Sequence, residues 1–98
     1  MAGDGYKVAK AKVIAALQNG TYSHAVPRSS IETKNLLFTG AVSSEEVCDL
    51  IKHSTGSHHR ASAHHLDASI LVHVIERKGW YVKFYFLDPA TIFISVHK

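Results

Sequence analysis

Cysteine, long apolar runs and clustered acids are all scarce in this chain of 98 residues. Its one cysteine, Cys48, excludes an internal disulfide framework and is typical of a reducing compartment. No apolar run approaches the roughly 20 residues that a membrane helix needs, and residues 1–6 lack the basic-then-apolar pattern of a signal peptide. We therefore expect a cytoplasmic protein without membrane contact, in which residues 1–6 form a flexible tail.

The carboxylates exclude several classes of enzyme by their distribution. Most of the eight acidic residues lie where a local role explains them, in predicted first helical turns, in a turn or in the tail. Only Asp49, Asp67 and Glu76 lack such an explanation, whereas two-metal nucleases and glycosidases need converging acids. The six glycines are scattered, so the chain has no phosphate-cradling glycine loop. We expect a protein that works without a metal or an organic cofactor.

Helical periodicity and capping signals dominate the first half of the chain. The apolar spacing predicts a helix over residues 7–18, which Gly20 ends. Capping boxes predict a second helix from Ser29 to just before Gly40, and a third that starts at Ser43.

The second half is typical of β-structure. Residues rich in β-branched and aromatic side chains predict strands at 69–76, 80–86 and 91–96. The chain is therefore predicted to be a single α+β domain over residues 1–98. Its N-terminal helices should pack on one face of a C-terminal antiparallel sheet of three or more strands.

The lengths of the turns set the predicted register. A three-residue loop over residues 77–79 pairs His73 with Lys83, and a turn over residues 88–90 pairs Lys83 with Ser95 and Tyr81 with His97. A two-residue first turn would instead place His73 on the opposite face. That opposite face is predicted to be apolar and to comprise Val72, Val74, Val82, Phe84, Phe86, Ile92, Ile94 and Val96.

The side chains on the polar face suit cleavage of RNA by its own 2′-hydroxyl. That reaction needs a base, an acid and positive charge beside the phosphate. Tyr81 and His97 are the predicted proton-transfer groups, with His73 beside them, and Lys83 and Arg60 are predicted to neutralise the phosphate. The alternative is a solvated sheet face with no chemical role.

A histidine-rich segment, residues 54–65, precedes these strands as a loop or an edge strand. Partial protonation of its imidazoles would attract RNA phosphates, and the net charge of +3 permits a polyanionic partner. Zinc binding is an alternative, although neither an HExxH motif nor finger-spaced Cys/His pairs occur. The predicted RNA-contacting residues are His58, His59, His64, His65, Ser95 and Lys98.

The sequence resembles the MqsR family of bacterial toxin–antitoxin ribonucleases. The likeness runs from residues 11–14 to the C-terminus and is best in GWYVK at residues 79–83 and ISVHK at residues 94–98. It implies a barnase/RelE-like fold and metal-independent cleavage of messenger RNA under the control of a cognate antitoxin.

Carried over by position, the family's tyrosine falls on Tyr81 and its loop lysine on Arg60. Its C-terminal lysine falls on His97 or Lys98, and its glutamine is not kept at residue 72 or 73. Two other functions use the same residues: a non-catalytic RNA-binding or regulatory protein, and a metal-binding interaction domain built on the histidine-rich segment.

Overall fold

The computed structural model describes residues 5–25, 35–64, 67–87 and 90–98. In chain order they form α1 (Tyr6–Asn19), β1 (Tyr22–His24), α2 (Leu36–Thr39), α3 (Ser44–Lys52), a 3₁₀ turn (Gly56–His58), β2 (His59–Ala63), β3 (Leu71–Arg77), β4 (Trp80–Leu87) and β5 (Ala90–His97). The strands form one sheet of order β1-β5-β4-β3-β2, antiparallel except for the parallel β1–β5 pair. The predicted α+β class, with helices before the main sheet, is confirmed.

The helices begin and end where local signals place them. Gly20 ends α1 in the left-handed region, with φ of 75°, because glycine has no Cβ to oppose it. Ser43 and Glu46 form the predicted capping box of α3, with reciprocal bonds of 3.1 and 3.0 Å. The predicted start of the second helix at Ser29 lies outside the described residues.

The predicted tail over residues 1–6 is wrong at its last position. Tyr6 is the first residue of α1, and its hydroxyl lies 2.7 Å from the Ser54 hydroxyl. The aromatic ring therefore joins α1 to the segment that follows α3.

The hydrophobic core lies between the helices and one face of the sheet, here called the core face. Val13 and Leu17 of α1 and the buried positions of α3 meet Val82 and Phe84 from β4. Cys48 is buried in this core as a free thiol. Among the described helices, none is both long and apolar enough to cross a membrane.

The β3–β4 hairpin turns through two residues rather than the predicted three. Lys78 and Gly79 have φ values of 51° and 80°, and Arg77 pairs with Trp80. Two consecutive positive φ values are typical of the type I′ turn, whose twist matches that of the flanking strands.

This shorter turn inverts β3 relative to the prediction. His73 pairs with Phe84 instead of Lys83, so His73 and Ile75 point to the core face. Val72 and Val74 point away from it. The predicted faces of His73, Val72 and Val74 are therefore wrong, because one residue fewer in a turn flips every side chain of the strand.

A β-bulge changes the alternation of β5. The register shifts between Lys83 and Phe84, which leaves Ile94 as an extra residue in β5. Phe93, and not Ile94, consequently pairs with Phe84 and is fully buried. The predicted core positions of Ile92 and Ile94 are therefore wrong.

Asn35 joins α2 to β1 through its side chain. Its Oδ1 accepts a hydrogen bond from the Phe38 N–H at 3.0 Å and so caps α2. Its Nδ2 donates to His24 Nδ1 at 2.9 Å. Burial lowers the pKa of His24 below its ordinary value of 6.5, in accord with this ring accepting a hydrogen bond as a neutral imidazole.

Candidate active site on the polar face of the sheet

The face of the sheet opposite the core face carries most of the predicted catalytic groups, and we call it the polar face. Strand alternation and the observed pairing assign its members, because side chains on one face recur at every second residue. Val72 and Val74 lie on this face and are buried. Its polar members come from β2 to β5 and the residue after β2: Arg60, Ser62, His64, Glu76, Tyr81, Lys83, Tyr85, Ser95 and His97.

Tyr81 and His97 lie side by side on this face, as predicted. They are direct partners across β4 and β5, and their rings are nearly parallel, 18° apart, with centroids separated by 5.1 Å. Both side chains are half-buried. A phenol and an imidazole in contact can serve as a proton donor and a proton acceptor for one substrate.

A main-chain contact sets the tautomer of His97. Its Nδ1 lies 3.1 Å from the main-chain oxygen of Lys98, and because a main-chain oxygen can only accept, Nδ1 must donate. In the neutral imidazole, Nε2 then carries the lone pair. His97 therefore presents a base at Nε2.

Lys83 lies in the middle of the polar face. It pairs with Ser95 as predicted, next to the bulge at Ile94. A shallow cavity of about 140 Å³ lies beside it, with Ser62, His64 and Ile94 in its walls. The ammonium group thus stands over a depression that an RNA phosphate or sugar can enter.

Arg60 forms an ion pair with Glu76 on the neighbouring strand. The inverted β3 directs Glu76 to the polar face, directly opposite Tyr81, whereas the predicted three-residue turn would have placed it on the other face. Both partners are exposed, so the pair adds at most about 1 kcal/mol to stability. Its main effect is to hold the guanidinium of Arg60 over the polar face.

His64 contacts Tyr85 at the far end of the polar face. The rings meet edge to face, with centroids 5.2 Å apart and planes at 76°. Tyr85 was not among the predicted site residues, although it follows Tyr81 and Lys83 in the same strand alternation. The polar face therefore carries a tyrosine–histidine pair on each side of Lys83.

His73 does not belong to this site. It is 1% exposed and stacks on Phe84 with ring centroids 5.5 Å apart. Its Nδ1 lies 2.9 Å from His59 Nε2, so one of these two nitrogens donates the proton that joins them. The predicted catalytic position of His73 is wrong, because the two-residue turn directs its side chain into the core.

The histidines of the predicted histidine-rich segment, residues 54–65, lie in different parts of the fold. The Nδ1 of His58 accepts from the Thr55 N–H at 2.8 Å and completes the 3₁₀ turn. His59 points to the core face, and burial lowers its pKa below 6.5. Only His64 reaches the polar face, while His65 lies outside the described residues. The expectation of a single cationic rim is therefore wrong for His58 and His59.

Lys98 follows the polar face but turns towards the other side of the sheet. Its Nζ lies 5.5 Å from the centroid of the Trp80 ring, in the geometry of a cation–π contact. Within the described ranges, no three His, Cys, Asp or Glu side chains lie close enough to bind one metal ion.

Comparisons of this chain with protein-family models, with curated proteins and with solved structures gave no match. The resemblance to the MqsR family therefore stays a prediction based on the short motifs of the sequence.

Proposed function

We propose that this protein is a metal-independent endoribonuclease that cleaves RNA through attack of the 2′-hydroxyl. The contact between Tyr81 and His97, on a face that also holds Lys83 and Arg60, is the observation that carries the proposal. Such a face brings together the base, the acid and the positive charge that this reaction requires.

The proton route follows from the His97 tautomer. Nε2 of His97 takes the proton of the 2′-hydroxyl, the 2′-oxygen attacks phosphorus, and the bond from phosphorus to the 5′-oxygen breaks. The phenol of Tyr81 gives its proton to that departing oxygen. The products are a 2′,3′-cyclic phosphate and a free 5′-hydroxyl, and a proton passing from His97 to Tyr81 restores the enzyme.

Two cations on the same face neutralise the phosphate. Lys83 provides a point charge between the two tyrosine–histidine pairs, and Arg60 provides a planar fork that matches phosphate oxygens. Glu76 orients this fork through its ion pair. Since Glu76 is the only carboxylate among the described residues of the polar face, the site lacks the converging acids of a two-metal nuclease.

The proposed biological role is that of a toxin of a type II toxin–antitoxin system in the cytoplasm, with messenger RNA as substrate and a cognate antitoxin as partner. A RelE-like arrangement of the fold belongs to the same proposal. This part rests on the sequence resemblance to the MqsR family. Expression of the protein should stop cell growth, and the His97→Ala variant should not.

The direct test is cleavage of single-stranded RNA by the purified protein in excess EDTA. Tyr81→Phe and His97→Ala should each lower kcat by about 10²–10⁴-fold, since each removes one proton-transfer group. His53→Ala is the matched control, because His53 is an exposed histidine at the end of α3, on the other side of the sheet. Its activity should equal that of the unmodified protein.

The ends of the products and the metal response decide between the alternatives. Cyclic or 3′-phosphate ends with free 5′-hydroxyls support the proposed route. Activity that disappears in EDTA and returns with zinc or magnesium would contradict it. RNA that binds without being cut would favour the non-catalytic RNA-binding function.

A further inference from the structure

A cavity of about 450 Å³ lies between α3 and the β3–β4 turn, on the core-face side of the sheet. Its volume falls within the range of small-molecule sites, roughly 300–1,000 Å³. Val42, Leu50 and Trp80 supply its apolar surface, and charged side chains surround them. The polar-face chemistry described above does not use this cavity.

Two residues that line the cavity are chain neighbours of the proposed catalytic pair, Tyr81 and His97. Trp80 precedes Tyr81, Lys98 follows His97, and Arg77 pairs with Trp80 at the end of the sheet. Neighbouring residues of a strand point to opposite faces. The cavity and the Tyr81–His97 pair therefore lie on the two sides of the same sheet end, where one bound strand of RNA can reach both.

Trp80 offers a stacking surface in this cavity. Its ring packs against the hydrophobic core and is half-buried, while Lys98 Nζ lies 5.5 Å from its centroid. A base that stacks on the indole would displace this ammonium towards the attached phosphate. Proteins commonly hold unpaired bases of RNA on aromatic rings in this way.

The acidic and the basic side chains that line the cavity come from different elements of the fold. Glu46 and Asp49 stand one turn apart on α3, and the cations come from the strand ends and the turn between β3 and β4. One oxygen of Glu46 is occupied by the Ser43 N–H of the capping box. The Asp49 side chain is 73% exposed, and its carboxylate has only a distant contact, 3.5 Å from His53 Nδ1. Asp49 is thus the carboxylate that can offer both oxygens to a ligand.

A carboxylate selects among bases because it only accepts hydrogen bonds. Guanine presents two adjacent donors, N1–H and N2–H, to its two oxygens. Adenine and cytosine place a ring acceptor beside their amino group, and uracil has one donor between two carbonyls. A lone pair facing the carboxylate would be repelled.

We propose that this cavity is a base-binding subsite that prefers guanine, with Trp80 as stacking surface and Asp49 as the specificity-determining residue. The inference rests on the proposed function, since it assigns the base next to the cleaved phosphate to this cavity. The cations that line the cavity then hold the phosphates on either side of that base: Arg77, Lys78 and Lys98.

Fluorescence tests the subsite separately from cleavage, because Trp80 is the only tryptophan of the chain. The full-length protein is titrated with guanosine, adenosine, cytidine and uridine 3′-monophosphates, and with inorganic phosphate. We expect saturable quenching that is at least about 10-fold tighter for the guanosine nucleotide, in line with the discrimination of a bidentate contact. Inorganic phosphate should not quench.

Two variants refine this titration. Asp49→Asn should abolish the preference for guanine while the protein remains folded, since the side chain is exposed. Glu45→Gln removes an exposed carboxylate of the same helix that does not line the cavity, and it should keep the preference. In cleavage, kcat/KM for RNA containing guanine at the preferred position should fall with Asp49→Asn and not with Glu45→Gln.

The outcomes separate the two proposals. RNA cleavage without base-dependent quenching, or with a preference that Asp49→Asn leaves intact, would overturn the subsite and leave the ribonuclease standing. Quenching by the guanosine nucleotide that persists in His97→Ala supports the subsite independently of catalysis. If that quenching occurs in a protein that cuts no RNA, the cavity stands as a guanine site and the ribonuclease proposal falls.

Discussion

Replacing Lys78 with asparagine should stabilise the protein. Lys78 is the one non-glycine residue with a positive φ in the described part of the chain, at 51°. The left-handed conformation costs an ordinary L-residue roughly 1–2 kcal/mol, and asparagine adopts it more readily, so that Asn-Gly is a preferred pair in type I′ turns. We expect a gain of about 0.5–1 kcal/mol, a part of that cost.

Lys78→Gln is the matched control for this prediction. It removes the same positive charge but keeps a side chain with no special preference for the left-handed region. The difference between the two variants thus isolates the backbone contribution. It should correspond to about 2–8 °C in Tm for a domain of this size. Urea unfolding followed by Trp80 fluorescence and by circular dichroism measures the same difference at constant temperature.

Equal stabilities of Lys78→Asn and Lys78→Gln would refute this reasoning. In a three-residue loop, Lys78 adopts a right-handed conformation and only Gly79 is left-handed, so asparagine brings no advantage. Such a result would support the three-residue loop and the register in which His73 pairs with Lys83. The measurement therefore also decides which face of the sheet holds His73.

Two further predictions concern acid stability and the bulge. Burial lowers the pKa of His24 and of His59 below 6.5, so at lower pH the unfolded chain binds more protons than the folded protein. The contribution of these histidines to stability should therefore be complete above about pH 6.5 and be lost as the pH falls. Replacing both histidines with Gln should flatten the pH dependence of the urea midpoint, measured from pH 8 to 5. Phe93→Ala should destabilise by about 3–5 kcal/mol, as for a fully buried ring, and Ile92→Ala by much less; the reverse order of unfolding free energies would show that β5 has no bulge.

The parts of the fold that sequence analysis predicted are those with local signals. Gly20 and the Ser43 capping box set helix ends through groups a few residues away, and the strands β3 to β5 follow from their β-branched and aromatic residues. Strand β1 was not predicted, because its three residues are stabilised by a partner near the other end of the chain.

Register could be predicted only in part, because it depends on single residues at turns and bulges. The predicted β5 partners of Tyr81 and Lys83 are correct, whereas His73 was wrongly paired with Lys83. The turn was predicted to pair Leu87 with Thr91, whereas Ala90 is the partner of Leu87. The extra residue of the bulge compensates for that error further along β5, so Lys83 still pairs with Ser95 and Tyr81 with His97. No such compensation occurs in β3.

In the candidate site as well, the contacts within one strand could be predicted, and the contacts between distant strands could not. Alternation within one strand places Tyr81 and Lys83 together and also contains Tyr85, which could have been found from the sequence. The contact of Arg60 with Glu76 could not, because it depends on the pairing of β2 with β3 and on the length of the turn after β3.

The position of β5 in the sheet has a consequence for how the chain acquires its structure. Strand β5 lies between β4 and the early strand β1, so Tyr22 can find its partner Thr91 only after β2, β3 and β4 have been made. Hairpins β3–β4 and β4–β5 close over short separations, and α1 packs on the nearby α3, whereas β1 must wait for β5. High contact order of this kind slows folding. Strand β1 therefore stays unpaired until β5 has been made, and the same strand completes the proposed catalytic pair.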